Sequence, residues 1–289
     1  MSERVIADFV GEFFLTDMDR DDPVQGRIVM SPKRLVLAAD DHKVTIPTDD
    51  IFDIAVGHVP PEMRAFFSDS VTIAYREGNQ RRMAVIEAES NTVDKFSTVL
   101  FKAHLNGQTA LVQHPARRGG RVVDSPVTKA RLAVDGKTLS FSGPDTDFSI
   151  QLATVTDFEK ETRALDGEDR PALSVSHVPG TTTLVTVVSL PSERVMNLLG
   201  RYFRLEYSDL VEDLADVSLS DEEVEVLVAI YSAGEGVDPL SVVSGDASQT
   251  TMVLNGLQEK ELVADGDAGV VLTPKGRVVV NSRLEEVNT

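Results

Sequence analysis

Val44-Thr-Ile-Pro-Thr-Asp-Asp-Ile-Phe-Asp-Ile54 can be laid over Phe148-Ser-Ile-Gln-Leu-Ala-Thr-Val-Thr-Asp-Phe158 without a gap. Apolar positions then coincide: Val44 with Phe148, Ile46 with Ile150, Ile51 with Val155 and Ile54 with Phe158, and Asp53 falls on Asp157. A repeat of this kind means that one supersecondary unit is built twice. Working outward, Arg34-Leu-Val-Leu and Arg131-Leu-Ala-Val each open an alternating strand that ends in a polar turn, Ala39-Asp-Asp-His42 and Val134-Asp-Gly-Lys137. Val71 to Tyr75 and Arg82 to Glu87 flank a Gly78-Asn79 turn, while Ala172 to Val175 and Thr182 to Ser189 flank Pro179-Gly180. Each half reads as about six strands.

A helix closes each half. Val93, Phe96, Val99, Leu100 and Ala103 form one stripe at three-and-four spacing, and Val195, Leu198, Leu199, Tyr202 and Leu205 form the other. Asn91-Thr92 and Pro191-Ser192-Glu193 supply the starts. A small antiparallel barrel closed by one C-terminal helix resembles a pleckstrin-homology-like module. Two tandem copies are expected, over 1–112 and 119–212, with Gln113-His-Pro-Ala-Arg-Arg-Gly-Gly-Arg121 having a linker's composition. From Leu219 the pattern changes. Ser220 and Glu223 make a capping box before the stripe Val224, Leu227, Val228 and Tyr231. Val237 to Val243 reads as a second helix, and Ala247 to Lys260 as a third with Met252, Val253 and Leu257 inward. Leu262 to Leu272 is a two-stranded wing turning at Asp265 to Gly269, and Thr273-Pro-Lys-Gly-Arg277 starts a last helix. That order predicts a winged-helix domain over 217–289, and the fold class is α+β.

The composition, 42% hydrophobic and 26% charged in 289 residues, is that of globular protein needing no cofactor. With no cysteine, disulfides and thiolate metal sites are excluded. The N-terminus has neither a basic region nor an apolar run, so a cytoplasmic location is expected. The net charge of −19 is spread along the chain, and arginine outnumbers lysine. At ~1 M salt the Debye length is about 3 Å, which removes most self-repulsion. Acid-rich, lysine-poor surfaces are similar to those of salt-loving archaea, so the charge reports habitat before it reports partners.

No catalytic constellation is legible. The five histidines, at 42, 58, 104, 114 and 177, share no metal-ligand spacing and read as surface or half-buried side chains. Asp17-x-Asp19-x-Asp21 lacks the glycine and the bidentate acid of a calcium loop, since Asp22 and Ile28 stand there. Glycine-rich nucleotide loops and serine-nucleophile motifs are missing, and carboxylate pairs are expected by chance in so acidic a chain. No enzyme is expected. For DNA, the helix Ala247 to Lys260 has no basic residue before its last turn, and between Leu219 and Leu284 the bases are Lys260, Lys275, Arg277 and Arg283 alone, a poor footprint for phosphate contact. For a lipid surface, the dense basic groups are Arg81-Arg82 and Arg117-Arg118-x-x-Arg121, read as solvated charge.

Tandem barrel modules followed by a winged helix, together with Gly26 to Leu37, Ile51 to Ile54 and Leu219 to Leu227, resemble the archaeal taxis CheF family over essentially the whole chain. The resemblance implies an adaptor that binds the phosphorylated response regulator CheY and the archaellum switch proteins FlaCE and FlaD, acts as a homodimer, and works at the cytoplasmic face of the motor. Leu219-Ser-Asp-Glu-Glu-Val-Glu-Val-Leu-Val228 is similar to the amphipathic segment by which bacterial FliM engages CheY. Leu219, Glu222, Glu223, Val224 and Leu227 are therefore the candidate partner-binding residues, with Leu219, Val224 and Leu227 expected to be partly exposed. Such a segment also has the capping box and stripe that any first helix of the domain needs. The alternative is a winged-helix transcription regulator whose barrels sense and whose last domain binds DNA.

Overall fold

A computed structural model describes residues 4–18, 22–40, 42–135, 137–179, 182–215, 217–233, 247–266 and 269–287. The expected helix at Val237 to Val243 lies outside them, as do Asp19 and Asp21 of the acidic loop and Gly180 of the Pro179-Gly180 turn.

The first half forms seven strands: β1 (Ala7–Leu15), β2 (Val24–Met30), β3 (Arg34–Ala38), β4 (Lys43–Pro47), β5 (Ile51–Val56), β6 (Val71–Glu77) and β7 (Gln80–Glu87), followed by helix α1 (Ser90–Leu105). The second half has β8 (Thr109–Arg118), the two-residue β9 (Arg121–Val122), β10 (Val127–Asp135), β11 (Thr138–Gly143), β12 (Thr146–Gln151), β13 (Val155–Leu165), β14 (Glu168–His177) and β15 (Leu184–Ser189), followed by α2 (Glu193–Ala215). Antiparallel order in the first sheet is β4-β3-β2-β1-β7-β6-β5, and in the second β12-β11-β10-β8-β15-β14-β13, with β9 paired only to β8. The two orders are one permutation with β9 inserted, so the repeat in the sequence is a repeat of topology.

The match extends to the backbone of the quoted stretches. A single 3-10 turn, Thr48–Asp50 in one copy and Leu152–Thr154 in the other, carries the chain from β4 to β5 and from β12 to β13. Thr48 N–H donates to Lys33 O at 3.0 Å and Leu152 N–H to Lys137 O at 2.8 Å. Register then slips at Ile51/Asp53 and again at Val155/Asp157. Because the chain turns away there, β4 and β5 end as opposite edges, and so do β12 and β13. Neither sheet is a closed barrel; the expected closure is corrected to two open antiparallel sheets. Charged and proline residues on the outer strands, Lys43, Pro47 and Asp53 among them, discourage pairing with another chain.

Two other expectations need correction. By sheet position β11 corresponds to β3, so Arg131 to Val134, which lies in β10, corresponds to β2 and not to Arg34 to Leu37. The stretch Gln113 to Arg118, expected as linker, is the second part of β8. Pro115 fits because β8 passes an irregularity between Val185 and Val187 of β15, where no ladder N–H is needed. The Gly119-Gly120 pair is a hairpin turn, with φ of 53° and 76°.

Burial follows period two along the strands, with Phe13, Leu15, Ile28 and Met30 of β1–β2, and Leu132, Val134, Leu139 and Phe141 of β10–β11, fully inside. On α1 the buried face is Val93, Phe96, Ser97, Leu100, Phe101, His104 and Leu105, roughly 70° around the helix from the predicted stripe, so Val99 and Ala103 are only half-buried. Phe96 meets Phe9 edge-on at 5.1 Å. Ser192 caps α2, its Oγ accepting Val195 N–H at 3.3 Å.

The chain divides into two compact units. The first is Met1–Gln108 with Ala133–Gly136 and Pro191–Tyr202; the second is Thr109–Leu132, Lys137–Leu190 and Phe203–Thr289. In the first unit, Arg201 makes a bidentate pair with Asp53 (2.9 and 2.9 Å) and Arg194 donates to Ile51 O at 2.8 Å, so the first turns of α2 are pinned to β5. In the second, Phe203 packs on Phe158 of β13. The C-terminal part of the second unit holds α3 (Asp221–Ala233), α4 (Ala247–Glu259), the hairpin β16 (Val263–Gly266) and β17 (Gly269–Leu272), and α5 (Pro274–Val287).

Candidate partner-binding helix

Local chemistry fixes α3 as predicted. Ser220 Oγ accepts Glu223 N–H at 3.2 Å while Glu223 Oε2 accepts Ser220 N–H at 2.8 Å, the reciprocal bonds of a capping box. Lys260, just past α4, adds what the sequence did not show. Its Nζ lies 2.7 Å from each Glu223 carboxylate oxygen and 2.8 Å from Ser218 O. Burial works to raise the Glu223 carboxyl, but the Lys260 hydrogen bond, the Ser220 N–H and the Lys260 charge outweigh it and hold it below the ordinary range. The start of α3 is thereby tied to the end of α4.

Around α3 the buried side chains are Glu223, Val226, Leu227 and Ile230, joined in one core by Leu257, Leu262, Val263, Leu272, Val279 and Val280. Leu219 and Val228 pack half-buried on its margin. Of the candidate residues, Leu227 is 1% exposed and inside this core, against expectation. Leu219 and Val224 are half-buried, Glu222 is exposed, and Glu223 is buried in its ion pair. Tyr231, predicted inward, stands 39% exposed, because the helix turns Ile230 to the core in its place. Val224, Val228 and Tyr231 thus form a line at i, i+4, i+7 that the core leaves partly open, next to Glu222 and Glu225. On α4, Met252 is 73% exposed whereas Thr250 and Leu257 are buried. Met252 was expected inward; it sits about 200° around the helix from Thr250, at 100° per residue.

Two of the five histidines, His114 and His177, meet in the second sheet. His104 and His177 are fully buried, deeper than the surface or half-buried setting expected, and His114 is half-buried. In the second sheet Thr186 Oγ1 lies 2.7 Å from His114 Nδ1 and 3.0 Å from His177 Nε2. One hydroxyl can donate to one ring and accept from the other, which suits two neutral rings, while among the described residues the buried His177 Nδ1 has no hydrogen-bond partner. Burial, and for His177 also the neighbouring His114, lowers both, His177 to about 4. His104 falls to about 4 by burial first and then the Arg194 charge, against a smaller opposing effect of Asp49. Among the described residues no group of three histidine or carboxylate side chains could hold a metal ion. Arg81 and Arg82 are engaged locally: Arg81 and Arg76 lie over the Phe52 ring at 5.7 and 5.8 Å, and Arg82 pairs with Glu77. Among the described residues no helix is long and apolar enough to cross a membrane.

Two repeated antiparallel sheets, each followed by a helix, with a small C-terminal part of helices and a hairpin, define the fold, and comparison with known proteins supplies the class. Residues 5–209 match the family described as Archaeal Chemotaxis signal transduction system protein F. The chain belongs to that family, CheF. It is 48% identical over 288 residues to Taxis protein CheF2 of Halobacterium salinarum, covering 100% of both chains. To Taxis protein CheF1 of the same organism it is 26% identical over 293 residues, covering 99% of each.

Proposed function

We propose that the chain is a non-enzymatic adaptor that links phosphorylated CheY to the archaellum switch proteins FlaCE and FlaD, acting as a homodimer at the cytoplasmic face of the motor. Its full-length 48% identity to a taxis protein carries this reading. The strand order of each open sheet with its following helix supports two pleckstrin-homology-like modules, expected over 1–112 and 119–212 and divided instead at Thr109, where β8 enters the second sheet. Helix, helix, hairpin and helix support a winged-helix part at 217–289.

The CheY-docking element is assigned to α3. Glu222 and Val224 meet the partner, with Val228 and Tyr231 extending the line, while Glu223 and Leu227 hold the helix in place from beneath. Leu219 completes the margin. An amphipathic line of this spacing lies in a partner's groove through its i, i+4 and i+7 side chains.

The test is binding of the purified chain, in molar salt, to CheY with and without a phosphoryl mimic, with duplex DNA as control in the same buffer. Phosphoryl-dependent retention of CheY and no DNA retention is the expected result. DNA binding with indifference to CheY would overturn the adaptor and promote the transcription regulator. The DNA reading requires a basic face on α4, where the exposed residues include Thr251, Met252, Asn255 and Glu259.

A further inference from the structure

Within the second unit, an open cleft of about 630 Å³ is lined by Arg118, Gly119, Gly120, Arg121, Thr182, Thr183 and Arg277. This brings three arginines and two threonines to one cleft in a chain whose net charge is −19. Arg118 and Arg121 are direct partners across the β8–β9 ladder, so both side chains stand on the same face. Like charges directly opposite one another destabilise a strand pair. Elsewhere Arg27, Arg82, Arg163, Arg170 and Arg201 each pair with a carboxylate, yet among the described residues neither Arg118 nor Arg121 does. The repulsion is left for something else to neutralise.

The backbone keeps the pair in place. Gly119 N–H donates to Thr183 O at 2.9 Å and Arg118 is in register with Leu184, so the hairpin is fastened to the segment that supplies the threonines. Both turn glycines have positive φ, and a Cβ on either would meet nothing within 4 Å, so the peptide plane is open to a ligand. Among the described residues no aromatic ring lines the cleft, so they offer no stacking surface for a base. Its size is within the ~300–1,000 Å³ of small-molecule sites.

We propose that this cleft binds an oligophosphate group, pyrophosphate or the phosphate tail of a nucleotide, held by Arg118 and Arg121 with help from Arg277 and the two threonine hydroxyls. Arginine suits the task in molar salt. Long-range attraction is screened there, and what survives is short, bidentate hydrogen bonding from a planar fork to phosphate oxygens.

Calorimetric titration of pyrophosphate, and separately of ATP, into the full chain in molar KCl tests it. The comparison is with Arg118→Gln/Arg121→Gln, two exposed positions whose replacement is expected to leave the unfolding midpoint no lower, since it removes a like-charge pair. Saturable pyrophosphate binding that weakens at least ~10-fold in the double variant is expected, since both planar forks are lost. ATP binding as tightly as pyrophosphate supports recognition of the phosphate tail; tighter ATP binding, also lost in the variant, supports it with a further nucleoside contribution. Absence of pyrophosphate binding, ATP binding without pyrophosphate binding, or equal affinity in the double variant overturns the proposal. So does retention on anionic lipid vesicles without pyrophosphate binding, which would make the patch a membrane-facing one.

Discussion

His104 and His177 place two titrations inside the protein, far from where a free imidazole would have them. An unfolded histidine takes its proton near pH 6.5, whereas these two do so at about 4. Between those values the unfolded chain binds protons that the folded chain refuses, so stability falls as pH drops from 6.5 towards 4 and is complete above 6.5. The loss is on the order of 3 kcal/mol per histidine. Thermal unfolding followed against pH in molar KCl should show this acid limb, and a His104→Gln/His177→Gln chain should lose most of it. Lys260 makes a prediction of another kind. Removing its amine in Lys260→Met leaves the buried Glu223 carboxylate with the Ser220 N–H alone. A cost of about 1–3 kcal/mol is expected in denaturant melts, and Glu223→Gln in the same chain should recover part of it.

At the scale of elements, β1 serves both parts of its sheet, pairing with β2 through Ala7 to Phe13 and with β7 through Glu12 to Leu15. Gly11 and Gly26 face each other on β1 and β2. A Cβ on Gly26 would come within 2.4 Å of Ala38 O and 2.7 Å of the Phe13 ring, and one on Gly11 within 2.5 Å of Glu87 O. Gly26→Ala is therefore expected to cost about 1–3 kcal/mol by overpacking, read as a lower unfolding midpoint. On α3, Val224→Ser/Tyr231→Ala should weaken the proposed binding to CheY about tenfold with little change in stability; unchanged binding would remove α3 as the proposed docking element. Strand alternation, the Ser220/Glu223 box and the turn at Gly78 were all legible in the sequence, because each depends on neighbours a few residues away. Side-chain direction was not. Whether Leu227 or Tyr231 faces the core depends on Leu257, Leu262 and Val280 arriving from elsewhere in the chain, and the Lys260 bond spans 37 positions. Composition misled at Gln113 to Arg121, where proline and glycine mark an irregular strand and its hairpin and not a linker.

At the scale of the whole molecule the acid surplus sets the working conditions. A net charge of −19 repels itself at low ionic strength, and the Debye length shrinks from about 10 Å at 0.1 M to about 3 Å at 1 M. The unfolding midpoint should therefore rise steadily on going from decimolar to molar KCl, and a flat response would mean that the charges are already compensated. One 3-10 turn and one register slip recur in both sheets, while the side chains around them differ. Asp53 grips Arg201, whereas its counterpart Asp157 points to solvent. The two copies should consequently tolerate change unequally. In a saturation scan selected for folded protein, position 53 would accept few replacements and position 157 many, because one aspartate is bound to its arginine and the other is free to drift.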